Sequence, residues 1–214
     1  LDPASDGTGA AVGVYNDAIV FGAGITSDNY NVITVPADLT VTLVPATLVW
    51  APVSTELTYG DAWTADHFNA DTTTEIDGVK ITGDWVYSVG GAGVVIGDNP
   101  NAGSITVDAT FTPNGGAAGI FDVNTVSYTF AVAKATLAVT ANDQNRSFGD
   151  DLPVYDAGDY TITEGFVLGQ DAAVIDTPPG IIDPTAKTSN VGDYTLSVGG
   201  GADNNYDFAY TTGT

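Results

Sequence analysis

Apolar and polar residues alternate one by one along several stretches, and this period of two constrains the fold more than any other feature of the chain. The clearest stretches carry apolar residues at every second position of 39–43, 105–111, 126–132 and 137–139. A strand with this pattern has one buried and one solvated face, as strands of antiparallel sheets do. The alternation therefore predicts an all-β protein.

Turn sequences separate these stretches. They include Asp77-Gly78, Gly90-Gly91, Gly97-Asp98-Asn99-Pro100 and Pro178-Pro179-Gly180. Short strands with frequent turn signals between them are typical of β-sandwiches. A helical turn is expected only at 61–68, where Asp61 is the candidate N-cap.

The chain also contains an internal repeat with a period of about 89 residues. Ala46-Thr47-Leu48 recurs as Ala135-Thr136-Leu137, and Tyr59-Gly60-Asp61 recurs as Phe148-Gly149-Asp150. Both pairs share one offset, which a chance match would not produce. The sequence therefore predicts repeated structural modules.

The N-terminal residues match only the second half of this repeat. Leu1-Asp2-Pro3 corresponds to Ile182-Asp183-Pro184, and Asn29-Tyr30 corresponds to Asn205-Tyr206. The predicted organisation is a C-terminal half repeat at 1–44, a complete repeat at 45–134, and a repeat lacking its last strand at 135–214.

The junctions between the predicted repeats contain no linker. Pro45 and Lys134 mark them, and neither lies in a Gly/Ser-rich or Pro-rich segment. Flexible linkers need such compositions, so we expect neighbouring repeats to be joined stiffly.

The charge is strongly acidic, with 27 Asp and Glu against four Lys and Arg and a net charge of −23. Nucleic-acid binding needs a basic surface, and anionic lipid headgroups repel an acidic one. No apolar run in the sequence is long enough to span a bilayer. We expect neither a nucleic-acid partner nor membrane insertion, and the acidity suits a solvated extracellular or cell-surface protein.

Cysteine is absent from the chain. Disulfides, thiol catalysis and cysteine-ligated metal sites are therefore excluded. The fold must be stabilised by packing, which favours modules of ordinary domain size.

Five segments resemble a known family of bacterial repeats. They are Lys134 to Gln144, the aromatic-Gly-Asp step at 148–150, Gly165-Phe166-Val167, Val191-Gly192-Asp193-Tyr194 and Asn205-Tyr206. They resemble the MBG-type repeats of bacterial surface proteins, which are immunoglobulin-like modules in long tandem arrays of large adhesins. The resemblance is strongest over 134–214 and weaker over 45–133.

The resemblance implies tandem immunoglobulin-like antiparallel β-sandwich modules with a stalk or fibre role. Modules of this family normally close with a strand after a Gly-Thr step, and Gly213-Thr214 has no such strand after it in the sequence. The resemblance implies no catalytic residue.

No pattern in the sequence predicts an enzyme or a cofactor. The single histidine, His67, cannot form a multi-histidine metal site, and no Gly-x-Ser-x-Gly nucleophile motif accompanies it. A turn-capping or surface role is the better interpretation. We name no catalytic or cofactor-binding residue.

Calcium is the one ligand that the residues suggest, and its site is left unknown. Oxygen-rich clusters occur at Asp98-Asn99-Pro100-Asn101, Asn142-Asp143, Asp150-Asp151 and 203–207. Ca²⁺ is bound by six to eight oxygens, but none of these clusters has the EF-hand spacing. Asx turns, in which Asp and Asn side chains bond their own backbone, are the favoured alternative.

Three functions remain open at this point. The first is a non-catalytic structural stalk segment of a secreted or cell-surface bacterial adhesin or fibre, whose partners are neighbouring modules. The second is a self-assembling filament subunit that exchanges strands with identical chains, with 38–44 as the candidate donor strand. The third is a module that binds cell-surface carbohydrate or a receptor, for which Trp50, Trp63 and Trp85 are candidates, although core packing is the favoured role of these rings.

Overall fold

The computed structural model describes residues 13–19, 37–76, 78–114, 121–122 and 125–214, and it is nearly all β. Within these ranges the helical segments are two short 3-10 turns, Ala65–His67 and Ala172–Val174. The all-β prediction is therefore confirmed. The described residues contain no helix with the length and apolar character that a membrane span requires.

Most of the predicted half repeat 1–44 lies outside the described residues. Leu1-Asp2-Pro3 and Asn29-Tyr30, which define its match to the repeat, fall there too. The boundaries 1–44, 45–134 and 135–214 therefore stay a prediction.

The strands are short and closely spaced. In the N-terminal half of the chain they are β1 (Gly13–Ile19), β2 (Ala37–Val41), β3 (Val44–Pro45), β4 (Leu48–Val49), β5 (Glu56–Thr58), β6 (Asp71–Thr72), β7 (Glu75–Ile76), β8 (Val79–Lys80), β9 (Gly83–Val89), β10 (Ala92–Gly93) and β11 (Gly103–Pro113). In the C-terminal half they are β12 (Phe121–Asp122), β13 (Thr125–Ala133), β14 (Ala135–Ala141), β15 (Tyr160–Glu164), β16 (Gly180–Ile182), β17 (Ser197–Gly199) and β18 (Tyr206–Thr211).

The chain divides into two compact units that are each built from separate segments. The first unit comprises the described parts of 1–51, 69–88 and 108–127. The second unit comprises 52–68, 89–107 and 128–214.

The described strands of the first unit form antiparallel pairs and a parallel pair. β1 pairs with β2, β4 with β6, and β9 with β11, all antiparallel, while β3 runs parallel to β12. Among the described residues, one core cluster of this unit contains buried Ala46, Ile81, Phe111 and Phe121, with Leu48 and Trp85 packed against it.

The second unit is organised around β14. This strand lies between β15, which is antiparallel to it, and β18, which is parallel to it. Every second residue of β14 is buried, as the alternation predicted. Leu137 and Val139 of β14 share one core with Leu196 and with Val198 of the β16–β17 hairpin.

The expectation of antiparallel pairing is wrong for three pairs of described strands. β3 is parallel to β12, β5 to β13, and β14 to β18. Period-two alternation determines which face of a strand is buried, but it carries no information about the direction of the neighbouring strand.

The expected helical turn exists, but its cap is a different residue. The 3-10 turn Ala65–His67 is capped by Thr64 and not by Asp61. Asp61 instead accepts a hydrogen bond from the backbone N–H of Thr58 at 2.8 Å and closes the preceding turn.

Two glycines with positive φ allow a matched test of how closely the chain packs against β14. Gly165 has a φ of +111°, and a Cβ there would lie 2.1 Å from the carbonyl oxygen of Thr136. Gly169 has a φ of +70°, and a Cβ there would meet nothing within 4 Å. We expect Gly169→Ala to cost about 1 kcal/mol of unfolding free energy through backbone strain alone.

The Gly165→Ala variant should lose about 3 kcal/mol or more, because the same strain is joined by a clash with β14. Urea denaturation of both variants beside the parent chain measures the difference. Equal losses in the two variants would contradict the close approach at Gly165.

Candidate functional site

The segment Tyr59-Gly60-Asp61 forms a tight turn directly after β5. The N–H of Asp61 donates to the carbonyl of Thr58 at 2.8 Å, and the N–H of Thr58 donates to the Asp61 carboxylate at 2.8 Å. Gly60 has a φ of +102°, which the third position of a type II turn requires.

The segment Phe148-Gly149-Asp150 forms the same turn. The N–H of Asp150 donates to the carbonyl of Ser147 at 3.2 Å, and the N–H of Ser147 donates to the Asp150 carboxylate at 3.2 Å. Gly149 has a φ of +89°. The two segments matched in the sequence are therefore also alike in structure.

Tyr59 is packed into the core around β14. Its side chain is only 6% exposed, and its ring meets that of Tyr206 edge to face with centroids 5.3 Å apart. The Tyr59 hydroxyl accepts a hydrogen bond from Nε2 of Gln170 at 2.9 Å. Because Tyr59 lies in the predicted repeat 45–134 and its partners lie in 135–214, this Tyr59 contact joins the two predicted repeats within the second unit.

Tyr206 completes the contact from the other side. Its hydroxyl donates to Oε1 of Gln170 at 2.6 Å and accepts from the N–H of Val167 at 3.1 Å. The ring of Phe166 packs against it edge to face at 5.7 Å. A buried tyrosine hydroxyl needs such partners, so the surrounding groups are fixed in position.

Polar contacts extend this junction. The N–H of Ala102 donates to Oδ1 of Asn205 at 2.9 Å. The ammonium group of Lys134 donates to the carbonyl of Asp203 at 2.8 Å and lies 3.7 Å from the carboxylate of Asp207. Sequence reasoning noted Asn205-Tyr206 as part of the internal repeat and of the family resemblance, but it missed Gln170, which carries no periodic signal.

Phe148 has the position in its turn that Tyr59 has in the other, but its side chain is 66% exposed. A groove with a volume of about 510 Å³ opens beside it. The groove is lined by 143–148, by most of 189–196 and by Thr214.

Tyr155 and Asp183 form part of the groove wall. The Tyr155 hydroxyl donates to the Asp183 carboxylate at 2.8 Å. Burial raises the pKa of Tyr155 to about 12, and the hydrogen bond to Asp183 and its negative charge add to the effect. Burial alone would raise the pKa of Asp183, but hydrogen bonds from Thr185 and Tyr155 and the charge of Arg146 outweigh it and lower that pKa.

Arg146 is held by the same wall. Its guanidinium donates to Oγ1 of Thr185 at 3.0 Å and to the carbonyl of Ala186 at 2.9 Å. These bonds connect Arg146 to 185–186 and stabilise this part of the groove wall.

His67 caps its own turn, as one of the two proposed interpretations predicted, but it is buried and not on the surface. The N–H of Thr64 donates to Nδ1 of His67 at 3.0 Å. The imidazole ring packs edge to face against Trp63 and Phe130, with centroids 5.3 and 5.7 Å apart.

The side chains of the oxygen-rich clusters are engaged in a turn, in longer-range hydrogen bonds and in an ion pair. Asp203 accepts hydrogen bonds from the N–H groups of Asn205 at 2.7 Å and Tyr206 at 3.0 Å. The carboxylate of Asp143 accepts from the N–H of Thr214 at 2.8 Å, and Asp151 pairs with Lys187 at 2.7 Å. Among the described residues, no three carboxylate or imidazole groups converge on a point where an ion could sit.

The three tryptophans contribute to packing. Trp63 is buried against Phe130 at a centroid distance of 5.0 Å. Trp50 and Trp85 are partly buried and both contact Tyr87, at 5.4 and 6.5 Å. These contacts agree with the packing role that was favoured over a carbohydrate platform.

The Tyr155→Phe substitution tests the groove wall. Because the pKa of Tyr155 is raised in the folded chain, its hydrogen bond stabilises the fold fully below pH 10 and loses this effect as the pH rises towards about 12. We expect the variant to be less stable than the parent by about 1 kcal/mol at pH 7. Urea denaturation should show this difference shrinking between pH 10 and 11, and a constant difference would contradict the assignment.

Calcium should leave the stability of the chain unchanged. The Asp203 and Asp143 carboxylates already accept backbone hydrogen bonds, and a ligand that binds the folded state would raise the melting temperature by linkage. We expect equal melting temperatures by calorimetry in millimolar CaCl₂ and in EDTA. A higher value in CaCl₂, absent in MgCl₂, would show a calcium site.

Comparison with known proteins gives one match. The family model described as MBG domain (YGX type) matches residues 137–214. No curated protein and no solved structure matched the chain. The matched range contains β14 to β18 and the Phe148-Gly149-Asp150 turn, and MBG domains are repeat modules typical of surface proteins. The C-terminal part of the chain, residues 137–214, is therefore similar to an MBG domain, in agreement with the resemblance that its sequence indicated.

Proposed function

We propose that the chain is a non-catalytic stalk segment, built from tandem immunoglobulin-like repeats with a period of about 89 residues, of a bacterial cell-surface adhesin or fibre. The Tyr59 contact carries this proposal. An aromatic side chain from one predicted repeat is buried in the core of the next, where it packs on Tyr206 and bonds to Gln170. Repeats joined through their cores resist bending, which is the property that a stalk needs.

The repeated turn supports the period. Thr58 and Asp61 make the same pair of hydrogen bonds as Ser147 and Asp150, 89 positions further on. A turn that recurs in the next repeat can form the same junction again, so a longer array would be held together by one type of contact.

The short connection between the predicted repeats supports a stiff array. β13 ends at Ala133 and β14 begins at Ala135, so a single residue, Lys134, lies between them. The Lys134 side chain is bonded to the carbonyl of Asp203. A connection this short, with its one side chain bonded, has little freedom to bend.

The partners in this proposal are neighbouring repeats of the same protein. The net charge of −23 disfavours close approach to nucleic acid or an anionic membrane surface and keeps the array solvated. The carboxylate of Asp203 acts in a turn and that of Asp151 in an ion pair, as expected for structural roles.

A filament subunit that exchanges strands is the second candidate, and the groove beside Phe148 favours it. The donor strand proposed for this filament, 38–44, is already paired within its own chain. Most of it lies in β2, which pairs with β1. Its last residue, Val44, begins β3, which pairs with β12. A donated strand would first have to leave these pairs. The stalk therefore remains the leading proposal.

Spin-label distance measurements test the stiffness. The chain contains no cysteine, so cysteines introduced at Val53 and Ile182 (77% and 60% exposed) are the only labelling sites. We expect a narrow distance distribution for the parent chain. Tyr59→Ala should broaden it, because the variant removes the ring and hydroxyl that fix the two repeats to each other.

Phe148→Ala is the matched control, since Phe148 has the same turn position with an exposed ring. It should leave the distribution narrow. A broad distribution in the parent chain would overturn the stiff stalk, and light scattering that showed polymers of the parent chain would favour the filament.

A further inference from the structure

A single asparagine of the chain begins an Asn-x-Ser/Thr sequence in which x is not proline, the acceptor motif for N-linked glycans. It is Asn145, which is followed by Arg146 and Ser147. A glycan is bulky and hydrophilic, so an acceptor asparagine has to lie on the surface of a folded protein. The place of this motif in the fold therefore decides whether it can be used.

The motif lies in 142–147, a segment that follows β14 and belongs to no strand. Burial alternates residue by residue along it: the even-numbered side chains are half-buried and the odd-numbered side chains are exposed. Side chains two residues apart lie on the same side of an extended chain. The three exposed side chains, Asp143, Asn145 and Ser147, therefore face solvent together.

The half-buried side chains of the segment hold it against the rest of the second unit. The amide of Asn142 donates to the carbonyl of Gly158 at 2.9 Å. The amide of Gln144 donates to the carboxylate of Asp159 at 3.1 Å. The bonds of the Arg146 guanidinium to the groove wall complete the set. Because these contacts fix the backbone, the side chains between them are presented to solvent.

The reacting group of the motif is accessible. The side-chain amide of Asn145 makes no hydrogen bond to any residue that the structure describes, so it can enter the active site of an enzyme without breaking one. Ser147 begins the turn to Asp150, and its N–H donates to the Asp150 carboxylate at 3.2 Å. This turn fixes the backbone from which the Ser147 hydroxyl extends, two residues after the amide.

The Asp143 carboxylate is a third recognition element. It lies two residues before Asn145 on the same exposed side, and bacterial oligosaccharyltransferases select acceptor asparagines that have an acidic residue at this position. A cationic side chain of such an enzyme can bind the carboxylate by a charge-assisted hydrogen bond. One carboxylate oxygen accepts from the N–H of Thr214 at 2.8 Å, which fixes the orientation of the Asp143 side chain.

The corresponding positions before the Tyr59 turn are also exposed. Asn145 and Ser147 match Glu56 and Thr58 at the same offset that relates the two turns. Glu56 and Thr58 are exposed although β5 is paired with β13. Exposure of the acceptor side chains therefore does not depend on whether the backbone beside them is paired.

We propose that Asn145 is an acceptor site for an N-linked glycan, added by a bacterial oligosaccharyltransferase that recognises Asp143 and Ser147. The donor is an oligosaccharide linked to a polyprenyl pyrophosphate. Nδ2 of Asn145 attacks C1 of the first sugar, and the N–C1 bond forms as the bond from C1 to the pyrophosphate oxygen breaks. The pyrophosphate leaves with the electron pair and its lipid, and the proton lost by the amide passes to a basic group of the enzyme.

The glycan site rests on the proposed function only in that the chain reaches the surface of a bacterial cell, and it does not require a stalk. Purified components test it separately from the stalk. The full 214-residue chain, prepared in cells without a glycosylation system, is incubated with a purified bacterial oligosaccharyltransferase and a lipid-linked oligosaccharide of known mass. Intact mass spectrometry should show the addition of one oligosaccharide with loss of one water, and fragmentation should locate it at Asn145.

A peptide with the sequence 140–150 shows whether the fold presents the motif. We expect the peptide and the folded chain both to be glycosylated. Modification of the peptide but not of the folded chain would overturn the surface acceptor, because the fold would then withhold the amide. If neither is modified while an established acceptor peptide is, the site itself is wrong.

Variants of the motif separate its three elements. Asn145→Gln should abolish the modification, since it moves the amide by one methylene. Ser147→Ala should slow it strongly, whereas Ser147→Thr keeps the hydroxyl and should be modified. Asp143→Asn keeps an oxygen for the Thr214 N–H but removes the charge, and it should slow the modification by about tenfold or more, the equivalent of one charge-assisted hydrogen bond.

Two further variants control for charge. Asp143→Glu keeps the carboxylate and should be modified nearly as fast as the parent chain. Asp151→Asn removes an exposed carboxylate outside the motif and should be modified at the parent rate. All variants should melt within a few degrees of the parent chain. Equal rates for Asp143→Asn and the parent would overturn recognition through Asp143, and modification that persists in Asn145→Gln would overturn the site.

Discussion

The buried side chain of Tyr206 connects several segments in the C-terminal part of the chain. The Tyr206 hydroxyl donates to Gln170 and accepts from the N–H of Val167, while its ring packs against Tyr59 and Phe166. Its backbone begins β18, the parallel neighbour of β14. Loss of this hydroxyl would leave buried polar groups without partners, which is more costly than the loss of one bond. The central sheet and the junction between the predicted repeats therefore depend on the same side chain.

Sequence patterns predicted the parts of the fold that short-range chemistry determines. The alternation in 137–139 identified the buried face of β14, and the shared offset of Tyr59-Gly60-Asp61 and Phe148-Gly149-Asp150 identified two turns with the same hydrogen bonds. The turn needs a glycine with positive φ at its third position and an aspartate at its fourth. These requirements are local, so they are visible in the sequence. The cluster at 203–207 likewise forms a turn in which the Asp203 carboxylate accepts backbone hydrogen bonds.

Features that depend on distant partners were not predictable. Nothing in 206–211 indicates that β18 lies parallel to β14, and nothing in Gln170 indicates that it bonds to tyrosines 36 and 111 residues away. The environment of the candidate site was hidden for the same reason. Tyr59 and Phe148 have the same place in the same turn, but one is buried and the other exposed, because burial depends on the neighbour that is present.

The scarcity of basic residues has a consequence for proteolysis. Trypsin-like proteases cleave after Lys and Arg, and the chain offers only four such positions. Each of these side chains is engaged: Lys80 with Asp71, Lys187 with Asp151, Arg146 with Thr185 and Ala186, and Lys134 with Asp203 and Asp207. Lys134 lies between two continuous strands, so its peptide bond becomes accessible to a protease only when one of these strands opens. The connection between the predicted repeats, where linkers are usually cut, is thereby protected from this class of enzyme.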